Sequence, residues 1–174
     1  MRRAAPAVVS ALVAVVALAG CDRSEEGRSP APRPDPAGVL EPRWRWVAPP
    51  PSYVGMPGAD GDGVAVTFGH SHVTLLDPAG RARWTFDGRG LRDVAPRLTA
   101  DAVLVPTEDG LLAIDRATGA LRWQARTGER TNTPVVAGDR AVATTWEGSL
   151  VAFDLASGRV AWRAPLPGVA HGPA

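Results

Sequence analysis

Residues 110–128 read GLLAIDRATGALRWQARTG, and residues 148–168 read GSLVAFDLASGRVAWRAPLPG. Both carry the pattern A-x-D-x-x-x-G-x-x-x-W, once as Ala113, Asp115, Gly119 and Trp123, and again as Ala152, Asp154, Gly158 and Trp162. A weaker copy, with Leu75, Asp77, Gly80 and Trp84, has Leu for Ala and a turn one residue shorter. Trp46, Trp84, Trp123 and Trp162 lie 38, 39 and 39 residues apart. Pro57, Pro96, Pro134 and Pro173 lie 39, 38 and 39 apart. Two independent markers on one period of this size signify a stacked or circular repeat array.

Each unit reads as strands. Residues 102–107 (AVLVPT) and 141–145 (AVATT) are short, apolar and partly β-branched. Asp109-Gly110 and Glu147-Gly148 follow them as hairpin signals, because Asp and Gly tolerate the positive φ of a tight turn. Second strands are expected over 111–115 and 150–154. The Asp-to-Gly segments 77–80 and 115–119 suit type I turns, the longer one closed by a left-handed Gly. A third strand carries the tryptophan: Leu121, Trp123 and Ala125 alternate with Arg122, Gln124 and Arg126, which puts the first three on the buried face. A further strand begins near each marker proline, where the missing N–H does no harm to the ladder. Four antiparallel strands in about 39 residues is the arithmetic of a β-propeller blade. A solenoid is the second architecture and a sandwich the third, since a sandwich has no reason to repeat Asp, Gly and Trp in one register.

The repeated motif resembles the tryptophan-docking motif of the pyrroloquinoline quinone (PQQ)-like propeller repeats. The resemblance covers residues 43–174 and implies that each indole wedges between neighbouring blades. Trp84, Trp123 and Trp162 are then structural, together with Asp115, Gly119, Asp154 and Gly158. Trp44 and Trp46 look like the last strand of a preceding blade. The expected fold is all-β: a partial propeller of about three four-stranded antiparallel blades.

The N-terminal stretch is not counted as fold. Residues 1–20 have a basic start at Arg2 and Arg3, an apolar run over 7–19 and small residues before Cys21. Leu18-Ala19-Gly20-Cys21 resembles the lipobox of bacterial lipoproteins, which implies lipidation of Cys21, the chain's only cysteine. The chain is then expected to be exported and anchored by that lipid on the outer face of the cytoplasmic membrane, or elsewhere in the cell envelope, of a bacterium. A lone cysteine also excludes an intrachain disulfide and a cysteine-pair metal site. Residues 21–42 are rich in proline and charge, and read as a flexible tether. All 19 basic residues are arginines, set against 18 acids, and two of them lie in the signal-like start. The near-neutral remainder has no basic block, so nucleic acid is not an expected partner.

Function is expected at the blade end where the hairpin tips meet the loops into the next blade. That end collects His70, His72, Asp109, Arg130, Asn132, Trp146, Glu147 and His171. His70 and His72, two apart on one strand, would point the same way, but no third ligand stands at a defined spacing, and no metal site is assigned. Trp146 fits either an exposed anchor for a partner or a residue packed against the next blade. The favoured role is a non-catalytic binding or scaffold module for a protein or small ligand. The resemblance includes a lipoprotein subunit of the bacterial outer-membrane barrel assembly machinery, which is such a scaffold. The alternative is a fragment of a PQQ-dependent quinoprotein dehydrogenase oxidising alcohols or sugars with PQQ and calcium. No adjacent cysteine pair and no cluster of acidic and amide calcium ligands supports it. Otherwise no cofactor is expected. The sequence stops just after Pro173, on the opening residue of a further unit. The reading is therefore either a piece of a longer propeller or a chain that self-associates through open blade edges.

Overall fold

The computed structural model describes residues 42–50 and 52–167. The signal-like start, Cys21, nearly all of the tether, His171 and Pro173 lie outside the described residues. Among the described residues there is no helix.

Three four-stranded antiparallel sheets follow one another along the chain. Blade 1 holds β1 (Gly58–Asp60), β2 (Gly63–Phe68), β3 (His72–Leu76) and β4 (Ala82–Asp87). Blade 2 holds β5 (Arg97–Leu98), β6 (Ala102–Thr107), β7 (Gly110–Asp115) and β8 (Leu121–Arg126). Blade 3 holds β9 (Val135–Ala137), β10 (Arg140–Thr144), β11 (Ser149–Asp154) and β12 (Val160–Pro165). Each blade is an up-and-down meander in sequence order. The short first strands start directly after Pro57, Pro96 and Pro134. β1 touches β5, and a Cβ on Gly58 would fall on the Pro96 carbonyl, so blades 1 and 2 converge along the edge of their first strands.

Packing runs sheet on sheet. Every residue of β2 and β6 is buried, the pattern of a strand covered on both faces. One cluster joins blades 1 and 2 through Ala65, Val73 and Leu75 against Val103, Val105 and Ile114. A second joins blades 2 and 3 through Leu104, Leu111, Ala113 and Trp123 against Ala141, Val151 and Phe153. A third covers Val64, Val66 and Leu76 of blade 1 with Trp44, Trp46 and Val54, from the segment before the first sheet.

The local geometry corrects three expectations. The alternation in β8 breaks at Arg122: Ala113 pairs with Trp123, but Ile114 pairs with Leu121. This bulge turns Leu121 to the other face, where it is exposed, while Trp123 and Ala125 stay buried. β4 and β12 show the same shift just before Trp84 and Trp162. The hairpin of blade 2 is closed by Glu108 and Asp109, with Thr107 opposite Gly110. Gly110 is thus the first residue of β7, and it must be glycine because a Cβ would lie 2.1 Å from the Ala125 carbonyl oxygen. The third correction concerns the first indole: Trp44, and not Trp46, occupies the docking position on blade 1. Trp46 stands two residues on, where Phe86 and Ala125 stand in later units, and meets Phe68 edge to face at 5.6 Å. The longer link from Trp44 to Pro57 hides this register in the sequence.

An ion pair ties blade 2 to blade 1. The guanidinium of Arg116, in the turn after β7, donates to both carboxylate oxygens of Asp60 on β1, at 2.6 and 2.8 Å, and to the Thr99 carbonyl. Arg116 is buried, while Asp60 is about a third exposed. Burial acts to raise the Asp60 pKa, but hydrogen bonds from Arg116 and the Asp62 and Gly63 amides outweigh it and hold the carboxyl below its usual value. A carboxylate depressed in the folded state stabilises above its unfolded pKa of about 3.9, and that contribution is lost as pH falls through the folded value. Arg116→Ala is expected to cost about 1–3 kcal/mol near pH 7, moderated by the solvent around Asp60. Asp60→Asn should flatten the acid limb of the stability–pH curve below about pH 4. Denaturant melts across pH check both, and an unchanged acid limb in Asp60→Asn would deny the pair any share in stability.

Candidate functional site

The repeated Asp, Gly and Trp residues form one constellation, built three times. The turn aspartate folds its own loop: Asp115 Oδ1 accepts from the Ala117 and Thr118 amides and the Thr118 hydroxyl, at 2.8–3.1 Å. Asp154 does the same with the amide and hydroxyl of Ser157. Asp77 accepts from the Ala79 and Arg81 amides. These bonds hold all three carboxyls below the usual range: chiefly the Thr118 amide at Asp115, the Ser157 hydroxyl at Asp154 and the Arg81 amide at Asp77. Each turn closes on a glycine with positive φ, +79° at Gly80, +76° at Gly119 and +72° at Gly158. An indole from the preceding unit lies over that glycine. Trp84 donates from Nε1 to the Arg116 carbonyl at 2.8 Å, Trp123 to Leu155 at 2.9 Å, and Trp44 to Pro78 at 3.0 Å. The acceptor is always the carbonyl just after the turn aspartate. Trp162 stands in the same place on blade 3 but is 44% exposed, against 8% for Trp123. Among the described residues its Nε1 has no acceptor. The chemistry of this constellation is packing and backbone hydrogen bonding, with no reacting group in it.

The other expected residues lie where the hairpin tips meet the loops between blades. His70 is not on a strand. Gly69 and His70 both have positive φ, +59° and +56°, as primed hairpin turns require, and β3 begins only at His72. The two imidazoles therefore part company. His70 Nδ1 faces Asp93 at 3.3 Å and its ring stacks on Tyr53, while His72 Nε2 faces Asp87 at 3.1 Å and its ring stacks on Phe68. Asp109 lies 3.7 Å from Arg126, in the loops beside β8. Among the described residues no group of three or more His, Cys, Asp or Glu side chains could hold a metal ion.

Trp146, at the hairpin tip of blade 3, is the centre of the most distinctive cluster at this end. The Arg92 guanidinium lies 5.2 Å from the ring centroid and the Arg130 guanidinium 5.1 Å. Its Nε1 donates to Asn132 Oδ1 at 3.2 Å, and Asn132 is fixed in turn by Thr144. Glu147 fixes Arg130 through its backbone amide and Nε. The ring nevertheless remains 47% exposed. Sequence reading missed Arg92, since it sits 54 residues before Trp146 in an irregular loop outside the repeated text. Its side chain is almost buried, its contact with Glu108 is long at 3.8 Å, and its Nη1 is enclosed without a hydrogen-bond partner among the described residues.

Two cavities lie elsewhere. One of about 390 Å³ is lined by Phe86, Leu112, Leu121 and Gln124, and one of about 540 Å³ by Trp46, Phe68, Thr74 and Thr85. They occupy equivalent places in successive units, so they are grooves of the repeat.

Strand order, meander and repeated docking geometry define a β-propeller of the PQQ-like repeat class. A protein-family model described as outer membrane protein assembly factor BamB matches residues 43–172. The chain belongs to that family. Comparison of its sequence with curated proteins found no match. Among solved structures it is similar to BamB from Moraxella catarrhalis, with 19% identity and a TM-score of 0.53 over 63% of this chain and 34% of that one. It is also similar to the quinohemoprotein alcohol dehydrogenase ADHIIG from Pseudomonas putida, with 24% identity and a TM-score of 0.55 over 63% of this chain and 20% of the enzyme. The computationally designed Ika4 protein matches with 13% identity and a TM-score of 0.57 over 66% of this chain and 73% of the design. The chain thus spans about a third of the BamB structure and a fifth of the dehydrogenase, and at these identities the likeness is one of fold.

Proposed function

We propose that this chain is an exported, non-catalytic lipoprotein whose PQQ-like blades bind a protein partner through the face centred on Trp146. In this reading Cys21 carries the lipid, residues 21–42 are the tether, and residues 43–174 the binding module on the outer face of the cytoplasmic membrane. The observation that carries it is Trp146 held half-exposed between two arginines. Binding hot spots are enriched in Trp, Tyr and Arg. An aromatic already fixed by Asn132 and flanked by guanidiniums loses little entropy on contact. Membership of a family described by an assembly factor supports a partner-binding role.

The test places a photo-crosslinking residue at Thr133, an exposed position next to Asn132, and leaves Trp146 intact. A discrete covalent adduct with one envelope protein is expected, and Trp146→Ala or Arg92→Glu should reduce it at least about tenfold, the loss of a hot-spot contact. An adduct indifferent to both substitutions would remove Trp146 from the interface. Saturable binding of PQQ with calcium, accompanied by dye-linked alcohol oxidation, would replace this reading with the dehydrogenase.

A further inference from the structure

Among the described residues one docking rule has three instances, two of them between blades. An indole N–H meets the carbonyl after a turn aspartate, and the ring covers a left-handed glycine. Trp162 has the position and the chemistry for a fourth instance. The sheet face around it is similarly unfinished. Leu104 and Leu111, on the face that blade 2 turns to blade 3, are fully buried, whereas Val142 and Leu150, at the matching positions of blade 3, are only half-buried.

The surface that fits this face is also present in the chain. The turns at residues 115–119 and 154–158 are occupied by Trp84 and Trp123, whose strands are locked into sheets. The turn at residues 77–80 is occupied by Trp44, which comes from a segment outside the three sheets. That segment covers Val64, Val66 and Leu76, where the other two junctions have a whole sheet. Trp44 is therefore the one docked indole that another can replace without breaking a sheet.

We propose that blade 3 of one copy docks on blade 1 of a second copy, with Trp162 seated on the second copy's turn at residues 77–80 in place of Trp44. The contact continues the existing blade-to-blade interface and runs head to tail. Such contacts close into rings when the rotation permits. Two copies, each bringing the three described blades, fall within the roughly four to eight blades that propellers hold. The carbonyl of Pro78 accepts the Trp162 N–H, and Gly80 leaves room for a ring as it does for Trp44, since a Cβ there would lie 2.5 Å from a Trp44 indole carbon.

Sedimentation velocity of the full 174-residue chain in mild detergent tests this. A dimer is expected at concentrations up to about 50 µM, the range of a modest specific interface. Trp162→Ala should weaken it at least about tenfold with the β-sheet spectrum kept, because the side chain is half exposed in the single copy. Trp162→Phe, which keeps a ring and loses the N–H, should fall between the two. Trp44→Ala frees the acceptor turn and should tighten the dimer, an effect that a merely structural Trp44 would not produce. A monomer throughout, whether because another protein or further blades of a longer chain take the face, would overturn the proposal. So would a dimer that survives Trp162→Ala unchanged.

Discussion

Trp123→Ala is expected to cost about 3–5 kcal/mol of stability, the range for truncating a large buried aromatic. Trp123 is 8% exposed and packs in the cluster that joins blades 2 and 3. Its ring covers Gly158 and its Nε1 donates to the Leu155 carbonyl, so truncation empties a space between two sheets and strips a carbonyl of its donor. Each sheet is held by its own ladder, and blade 2 is also held on its other face against blade 1, so the gap does not close freely. Denaturant melts measure the loss. A change within about 0.5 kcal/mol is what a surface position gives, and it would end the wedge assignment.

Gly158→Val attacks the same junction from the other side and should cost about 3–5 kcal/mol. The backbone at Gly158 has φ of +72°, a region that costs an L-residue about 1–2 kcal/mol and a β-branched one more. The new Cβ would also lie 2.6 Å from two indole carbons of Trp123, and overpacking of this kind costs about 1–3 kcal/mol. The two substitutions share one contact, so the double variant should lose clearly less than the sum of the singles. Strict additivity in thermal or denaturant melts would show that the indole and the turn do not touch in solution.

The part of this architecture that could be read from the sequence is the part that repeats. Asp115, Gly119 and Trp123 recur as Asp154, Gly158 and Trp162 because every junction solves the same packing problem with the same backbone geometry. Strand periods and turn residues are local properties, and the observed strands follow them closely. The departures have local causes as well. The bulge opposite Ala113 and Ile114 adds one residue to β8, which an alternation count cannot see, and so Leu121 changes faces. Trp46 keeps the more regular spacing, yet Trp44 docks, because the link to the next unit is longer there.

What the sequence hides are contacts between segments that do not repeat. Arg116 reaches Asp60 across 56 residues, and no other blade has an arginine at the matching turn position, where Pro78 and Leu155 stand. Arg92 reaches Trp146 from a loop with no periodic signal. The imidazoles of His70 and His72 diverge because two successive left-handed residues place His70 in the turn. The candidate site is made of such contacts, which is why the fold was far more legible than the function.

Exchange of the indole N–H protons, followed by NMR, tests the docking rule most directly. Trp84 and Trp123 donate to backbone carbonyls inside blade junctions, while Trp146 donates to a side chain at the surface. The Trp84 and Trp123 indole protons should exchange at least about a hundredfold more slowly than that of Trp146, because their release requires two blades to part. Equal, fast exchange at all three would contradict a propeller joined by docked tryptophans.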